Sequence, residues 1–207
     1  LLSSIVVSGA TTLVGLGLSV TAAYSLSRFR FPGREPGMQL LLVTQMFPAT
    51  LMLVPLYSIL QGLGLLDSIG GLVLVYATSS LPFGVWMLKG YFDTLPRELE
   101  EAARIDGASQ WMIFRRIMLP LARPDIAITT LFSFMTAWNE FIMASTFMTD
   151  ESRYTLPVLI QSTVTEHSAN YGLFAAGAIV TSVPVMVAFY VLQRYLVGGL
   201  TAGAVKG

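Results

Sequence analysis

Residues 1–27, 36–66, 68–88 and 168–193 carry no charged side chain, and between Asp125 and Asp150 the one charge is Glu140. An uncharged run of about 18 or more residues is long enough to cross the hydrocarbon of a bilayer as a helix. Five such stretches, centred near residues 14, 51, 78, 136 and 184, predict an all-α, polytopic membrane helical bundle with five spans. Composition agrees. The chain of 207 residues is 54% hydrophobic and 12% charged, against about 25% charged for a soluble domain. That hydrophobicity excludes disorder. Twelve Lys and Arg balance twelve Asp and Glu, which leaves no basic face for nucleic acid. With no cysteine, and His167 as the one histidine, neither a disulfide framework nor a metal site of thiolates or imidazoles is expected.

Charge also orients the spans. If residues 28–38 face the cytoplasm, so do residues 89–123 and the C-terminal tail, and only Arg153 of the twelve basic residues lies outside. The first span is not read as a secretory signal, although Thr21-Ala22-Ala23 resembles a cleavage site. A signal carries its positive charges before the apolar run, and here Arg28, Arg30 and Arg34 follow it. A start at Leu1, near the outer face, leads to the expectation of a sixth span upstream. Within the first span Ser8, Thr12, Gly15, Ser19 and Ala22 recur at helical spacing and form a seam that lets another helix approach closely. Pro48 and Pro55 in the second span, Pro82 in the third and Pro184 in the fifth are each expected to disturb a helix locally.

The segment between spans three and four, residues 93–120, reads as two short helices lying across the membrane surface. Asp93 or Thr94 is placed to cap the first and Pro96 to open it. Glu98, Glu100 and Glu101 sit toward its positive end, and Glu100 and Arg104 are an i,i+4 pair. Gly107 can take the left-handed conformation that ends a helix. Ser109 is placed to cap the second helix, Pro120 to end it and Pro124 to open the fourth span. Such a unit can rest on the interface or dock into a groove on a cytoplasmic partner.

Glu101-Ala102-Ala103, followed after three intervening residues by Gly107 and after nine more by Ile117, with Leu119-Pro120 behind it, resembles the EAA loop of permease subunits in binding-protein-dependent ABC importers. Residues 28–33, Gln45-Met46-Phe47-Pro48, Lys89-Gly90-Tyr91-Phe92 and Trp138-Asn139-Glu140-Phe141 resemble the carbohydrate-importer branch. The tail, residues 199–207, is similar to that of its maltose-type members. The resemblance covers nearly the whole chain and implies a type I ABC importer permease fold. Residues 1–207 would then be a single transmembrane permease domain, with a coupling loop at 93–120 and a cytoplasmic tail at 198–207.

That resemblance implies a location in a bacterial or archaeal cytoplasmic membrane. It implies a second homologous permease, two ATPase subunits that bind ATP and Mg, and an extracytoplasmic sugar-binding protein as partners. Glu101, Ala102, Ala103, Asp106 and Gly107 would form the corner that contacts an ATPase, anchored by Ile117, Leu119 and Pro120. In the tail, Thr201, Ala202, Gly203 and Lys206 would reach the ATPases, although that composition by itself reads as a frayed terminus. The outer loop, 147–172, would meet the binding protein through Glu166, His167, Asn170 and Tyr171. Glu140, beside Asn139, is an acid within a span and so a functional candidate, as a pathway or inter-subunit contact.

A secondary transporter coupling ions through Glu140 is the rival reading, and it leaves the EAA loop without a purpose. An intramembrane enzyme has no paired catalytic groups to work with. ATP hydrolysis cannot reside in this chain, which has no G-x-x-x-x-G-K-[ST] loop. The substrate expected from the resemblance is maltose, maltodextrin or another alpha-glucoside.

Overall fold

The computed structural model describes residues 1–165, 168–169 and 171–204, with side chains over residues 1–163 and 172–195. Three helices, α1 (Leu2–Arg28), α4 (Ile69–Thr94) and α11 (Tyr171–Ala204), are long and apolar enough to cross a membrane, the last over Gly172–Tyr195. Two bent helix pairs bring the possible spans to five. The first joins α2 (Arg34–Met46) through a 3-10 turn (Ala49–Met52) to α3 (Leu53–Gly62), with a bend of 97°. Its cause is local. The ring of Pro48 disfavours helical geometry at the preceding residue, and Phe47 is accordingly extended at φ −78 and ψ 126. The second bend, 75°, falls between Gln110–Leu121 and α8 (Arg123–Asn139).

Three expectations need correcting. Pro120 does not stop its helix. The stretch comprises α6 (Gln110–Ile113), a π turn (Phe114–Met118) and α7 (Leu119–Leu121), and the chain turns only at Ala122. The wide π turn, closed by the Leu119 N–H on the Phe114 carbonyl, relaxes the clash a proline ring makes with the turn before it. Asp93 and Thr94 do not cap α5 (Glu98–Ile105), whose N-cap position is Arg97 with no side-chain bond. Thr94 instead donates to the Tyr91 carbonyl, and Asp93 accepts from Ser27 and Lys89. Finally, the fourth span is not one helix: α8 ends at Asn139, and α9 (Ile142–Phe147) starts after a break at Glu140 and Phe141.

α1 is the spine. It packs most extensively on α4 and then on α8, and α8 in turn carries α11. The seam of small residues is what allows this. Ser8, Thr12, Gly15 and Ser19 are buried, as expected, and Ala22 is partly exposed. A Cβ on Gly84 would lie 2.6 Å from Ser19 Oγ, and one on Gly15 3.2 Å from Ser80 Oγ. Larger residues would push the helices apart and lose the dispersion contacts that hold helices together where lipid offers no hydrophobic drive.

Apolar clusters close the bundle at both ends. One joins Val20, Ala23, Tyr24, Leu88 and Phe92 to Ile113, Phe114 and Met118. This is the basic end, where Arg28, Lys89, Arg97, Arg104, Arg115 and Arg116 gather. The other cluster packs Leu60, Leu72, Tyr76, Met143 and Phe147 at the far end. There Asp67, at φ 55, accepts from the Thr149 and Asp150 amides (2.9 and 3.0 Å). These two bonds hold its carboxyl below the usual carboxylate range. α10 (Leu156–Ser162) follows, and β1 (Val164–Thr165) pairs antiparallel with β2 (Ser168–Ala169), a small hairpin with no signal in the sequence. Trp138 Nε1 donates to the Thr181 carbonyl (3.1 Å) and so fastens α11 to α8.

Candidate coupling site

The two short helices of residues 98–121 cross the basic end of the bundle. Glu98, Glu100 and Glu101 occupy the first turn of α5 and Arg104 the last, each favoured by the helix dipole. Gly107 closes α5 at φ +82, a conformation that costs a residue with a Cβ about 1–2 kcal/mol. The Ala108 N–H bonds the Ala103 carbonyl (2.9 Å) and the Gly107 N–H the Arg104 carbonyl (3.0 Å), so the last carbonyls of α5 are satisfied by the turn itself. Ser109 Oγ then accepts from the Met112 amide and starts α6, as its position in the sequence implied.

The result is a fixed corner with two faces. Glu101, Ala102, Asp106 and Gly107 are exposed, and Ala103 is half-buried against the apolar cluster at this end. Ile117 and Leu119 also pack on that cluster, and Pro120 is half-buried in the turn leading to α8. The eight residues singled out by the resemblance thus divide into an outward-facing set and a set packed inward.

Sequence reasoning missed part of this face. Ile105 is 88% exposed and Trp111 65% exposed, with Leu99 and Met112 beside them in the two short helices. An apolar pattern marks a residue as apolar but does not say which side the helix buries. α5 is only eight residues long, too short for its period to fix that side. The cue available was Ile105 itself, directly before Asp106-Gly107 and out of register with Leu95, Leu99 and Ala102.

Behind the corner lies a second missed feature. Glu100 is 3% exposed. It forms an ion pair with Arg28 at the end of α1, and Tyr24 Oη donates to its other oxygen (3.1 Å). The expected Glu100–Arg104 pair is present at 3.9 Å, and it is the looser of the two.

Comparison with known proteins decides the family. Residues 15–201 match the family described as "Binding-protein-dependent transport system inner membrane component". This chain belongs to that family.

Among its relatives, the permease is 40% identical over 211 residues to the maltose/maltodextrin transport system permease protein MalG of Vibrio vulnificus YJ016, covering 99% of this chain and 71% of that protein. The MalG of Escherichia coli K12 gives the same identity and coverage. The inner membrane ABC transporter permease protein YcjP of Escherichia coli K12 is 38% identical over 205 residues, 99% of this chain and 73% of its own. Among solved structures, a bacterial ABC transporter involved in the import of the acidic polysaccharide alginate superposes with a TM-score of 0.74 at 27% identity, over 93% of this chain and 74% of that one. An inward-facing methionine ABC transporter, MetNI, superposes with a TM-score of 0.78 at 15% identity, over 95% and 92%, and shares the fold.

The remaining candidates of the permease fall in three places. Glu140 does not lie inside a continuous helix. It occupies the break before α9, where its carboxylate accepts from the Met143 and Ala144 amides (2.8 and 3.1 Å) and from Tyr76 Oη. The group thus caps a helix and ties it to α4. Asn139 turns away, exposed, with its amide on the Met135 carbonyl. Glu166, His167, Asn170 and Lys206 lie outside the described residues, while Tyr171, Thr201, Ala202 and Gly203 belong to the backbone of α11. Among the described residues no group of His, Asp and Glu is arranged to hold a metal ion.

Proposed function

We propose that this permease forms half of the translocation pathway of an ATP-driven sugar importer and is driven through the corner at Glu101–Gly107. The observation that carries this reading is the exposed, conformationally fixed corner, with Glu101, Ala102, Ile105 and Asp106 presented outward at the basic end of a family permease. That end is cytoplasmic by the distribution of its arginines, and the C-terminal tail lies on the same side. A cytoplasmic ATPase, carrying ATP and Mg, would receive the corner. Its closure would bias the bundle between two states, inward- and outward-facing. A second permease completes the pathway, and an extracytoplasmic binding protein delivers the sugar on the side of residues 147–172. The tail, through Thr201, Ala202, Gly203 and Lys206, would add a second ATPase contact.

Maltose, maltodextrin or another alpha-glucoside is the substrate class, supported by the MalG relatives and by the maltose-type tail. An ion-coupled transporter fits less well, because the Glu140 carboxylate is already engaged by two backbone amides and a tyrosine. Reconstitution with the paired permease, the ATPases and a maltose-loaded binding protein tests the reading. Glu101→Lys and Gly107→Pro are each expected to insert and assemble yet to separate ATP hydrolysis from transport. Normal sugar uptake by both variants would remove the corner from the mechanism.

A further inference from the structure

The two short helices join the bundle through two non-helical connections. Residues 95–97 connect α4 to α5, with Leu95 extended, and the sharp turn at Ala122 connects α7 to α8. The apolar cluster of Ile113, Phe114 and Met118 with Tyr24, Leu88 and Phe92 seats the module on the bundle, but apolar contact is non-directional and does not by itself fix its tilt. A further attachment, a polar network centred on a buried ion pair, fixes that tilt.

Its centre is Arg28, the last residue of α1, whose side chain is as buried as that of Glu100. The guanidinium faces three ways. Nε meets the Glu100 carboxylate, Nη2 donates to the Leu95 carbonyl (2.9 Å) and Nη1 to Ser27 Oγ (3.4 Å). Ser27 passes on to Asp93 (2.6 Å), which Lys89 also holds. On the other side Tyr24 Oη bridges Glu100 and the Gln110 amide, and Gln110 Oε1 accepts from Arg104 (3.0 Å). One connected set of polar side chains therefore joins the ends of α1 and α4, the body of α5 and the start of α6. A cavity of about 70 Å³ lined by Arg28, Arg97, Glu100, Glu101 and Arg104 places this set directly behind the exposed corner.

A buried ion pair is a poor way to stabilise a fold, since an apolar pair of the same volume often does as well or better. What it supplies is orientation, because a planar guanidinium with three acceptors admits few positions. We propose that Arg28 and Glu100 are positioning residues that make the coupling module and the end of α1 one rigid body. Displacement of the corner then enters the bundle through its central helix and not only through α4 and α8. This rests on the coupling reading above and adds the route by which the displacement travels.

The chain contains no cysteine, so Arg30→Cys and Glu98→Cys, both at exposed positions, give a spin-labelled pair without touching the network. Pulsed dipolar spectroscopy on the assembled complex, nucleotide-free and ATP-bound, is expected to show one unchanged distance distribution. A shift or a second population between the two states overturns the proposal. In parallel, Arg28→Met with Glu100→Met removes both charges together and leaves neither stranded. That double variant is expected to assemble but to lose about tenfold or more of the ATPase stimulation given by maltose-loaded binding protein, in the usual range of coupling between sites. Stimulation equal to the parent's would mean that packing alone transmits the motion, and would overturn the proposal. Should the double variant fail to assemble, the label distances alone decide. A parent complex unresponsive to the loaded binding protein would contradict the importer reading itself, whereas a responsive parent whose labels separate contradicts the strut alone.

Discussion

Single side chains in this permease hold irregular backbone together where it leaves the helix. Glu140 supplies acceptors for the first free amides of α9 and for Tyr76. Its truncation to Ala leaves these donors unpaired in a partly buried site, and bonds to a charged acceptor are worth about 1.5–3 kcal/mol each before compensation. Thermal unfolding in detergent is expected to rank the parent above Glu140→Gln and Glu140→Gln above Glu140→Ala. Glu140→Gln, which keeps one acceptor, is expected to transport normally; loss of transport at unchanged stability would restore a role for the charge. Asp67 plays the corresponding part outside the membrane. Its carboxyl is held low by the Asp150 and Thr149 amides, so its contribution is fully present above the ordinary carboxylate pKa of about 3.9. That contribution is lost as pH falls through the lowered folded value. Hydrogen-exchange protection at the Thr149 and Asp150 amides, taken relative to the intrinsic exchange rate at each pH, is expected to fall over that acid window, and Asp67→Asn to remove that fall. Unaltered acid sensitivity in Asp67→Asn would place the titrating group elsewhere.

The helices show what a pattern can and cannot convey. α1, α4 and α11 follow directly from their uncharged length, because in lipid a backbone must satisfy its own polar groups. The seam of α1 was legible for a similar reason: residues without bulk mark where a neighbour comes close, and Gly84 and Ser80 meet it. The breaks were harder to read. Pro48 forces one, yet Pro82 and Pro184 sit inside α4 and α11, and α8 ends beside Glu140 with no proline there. Whether a helix breaks depends on what can satisfy the freed groups, and that is decided by contacts distant in sequence. The two short helices of residues 98–121 repeat the lesson. Gly107 and Ser109 act locally and behave as their residue types require, whereas Glu100 and Glu101, adjacent and chemically alike, face opposite ways. Partners distant in sequence, Arg28, 72 residues away, and Tyr24, 76 away, distinguish them. Ile105 lies on the exposed side with Glu101. Ile105→Asp is expected to leave the unfolding temperature of the isolated permease unchanged and to weaken ATPase co-purification; unchanged co-purification would take that side chain out of the contact.

Taken together, the permease is a bundle built on α1, closed by an apolar cluster at each end, with its irregular segments placed where partners would meet it. The basic end carries a rigid corner and the far end a clasp of loops held by Asp67. A bundle that can adopt two states while each end stays intact is what alternating access requires. The family followed from the EAA spacing together with the match over residues 15–201. The polar network behind the corner did not, because none of its members forms a motif. The most direct measurement is ATP hydrolysis by the reconstituted complex, with and without maltose-loaded binding protein, for the parent and for Glu101→Lys. Stimulation in the parent and its loss in Glu101→Lys is the predicted result. Equal stimulation in both, or sugar uptake by this chain that needs an ion gradient and no ATPase, would contradict it.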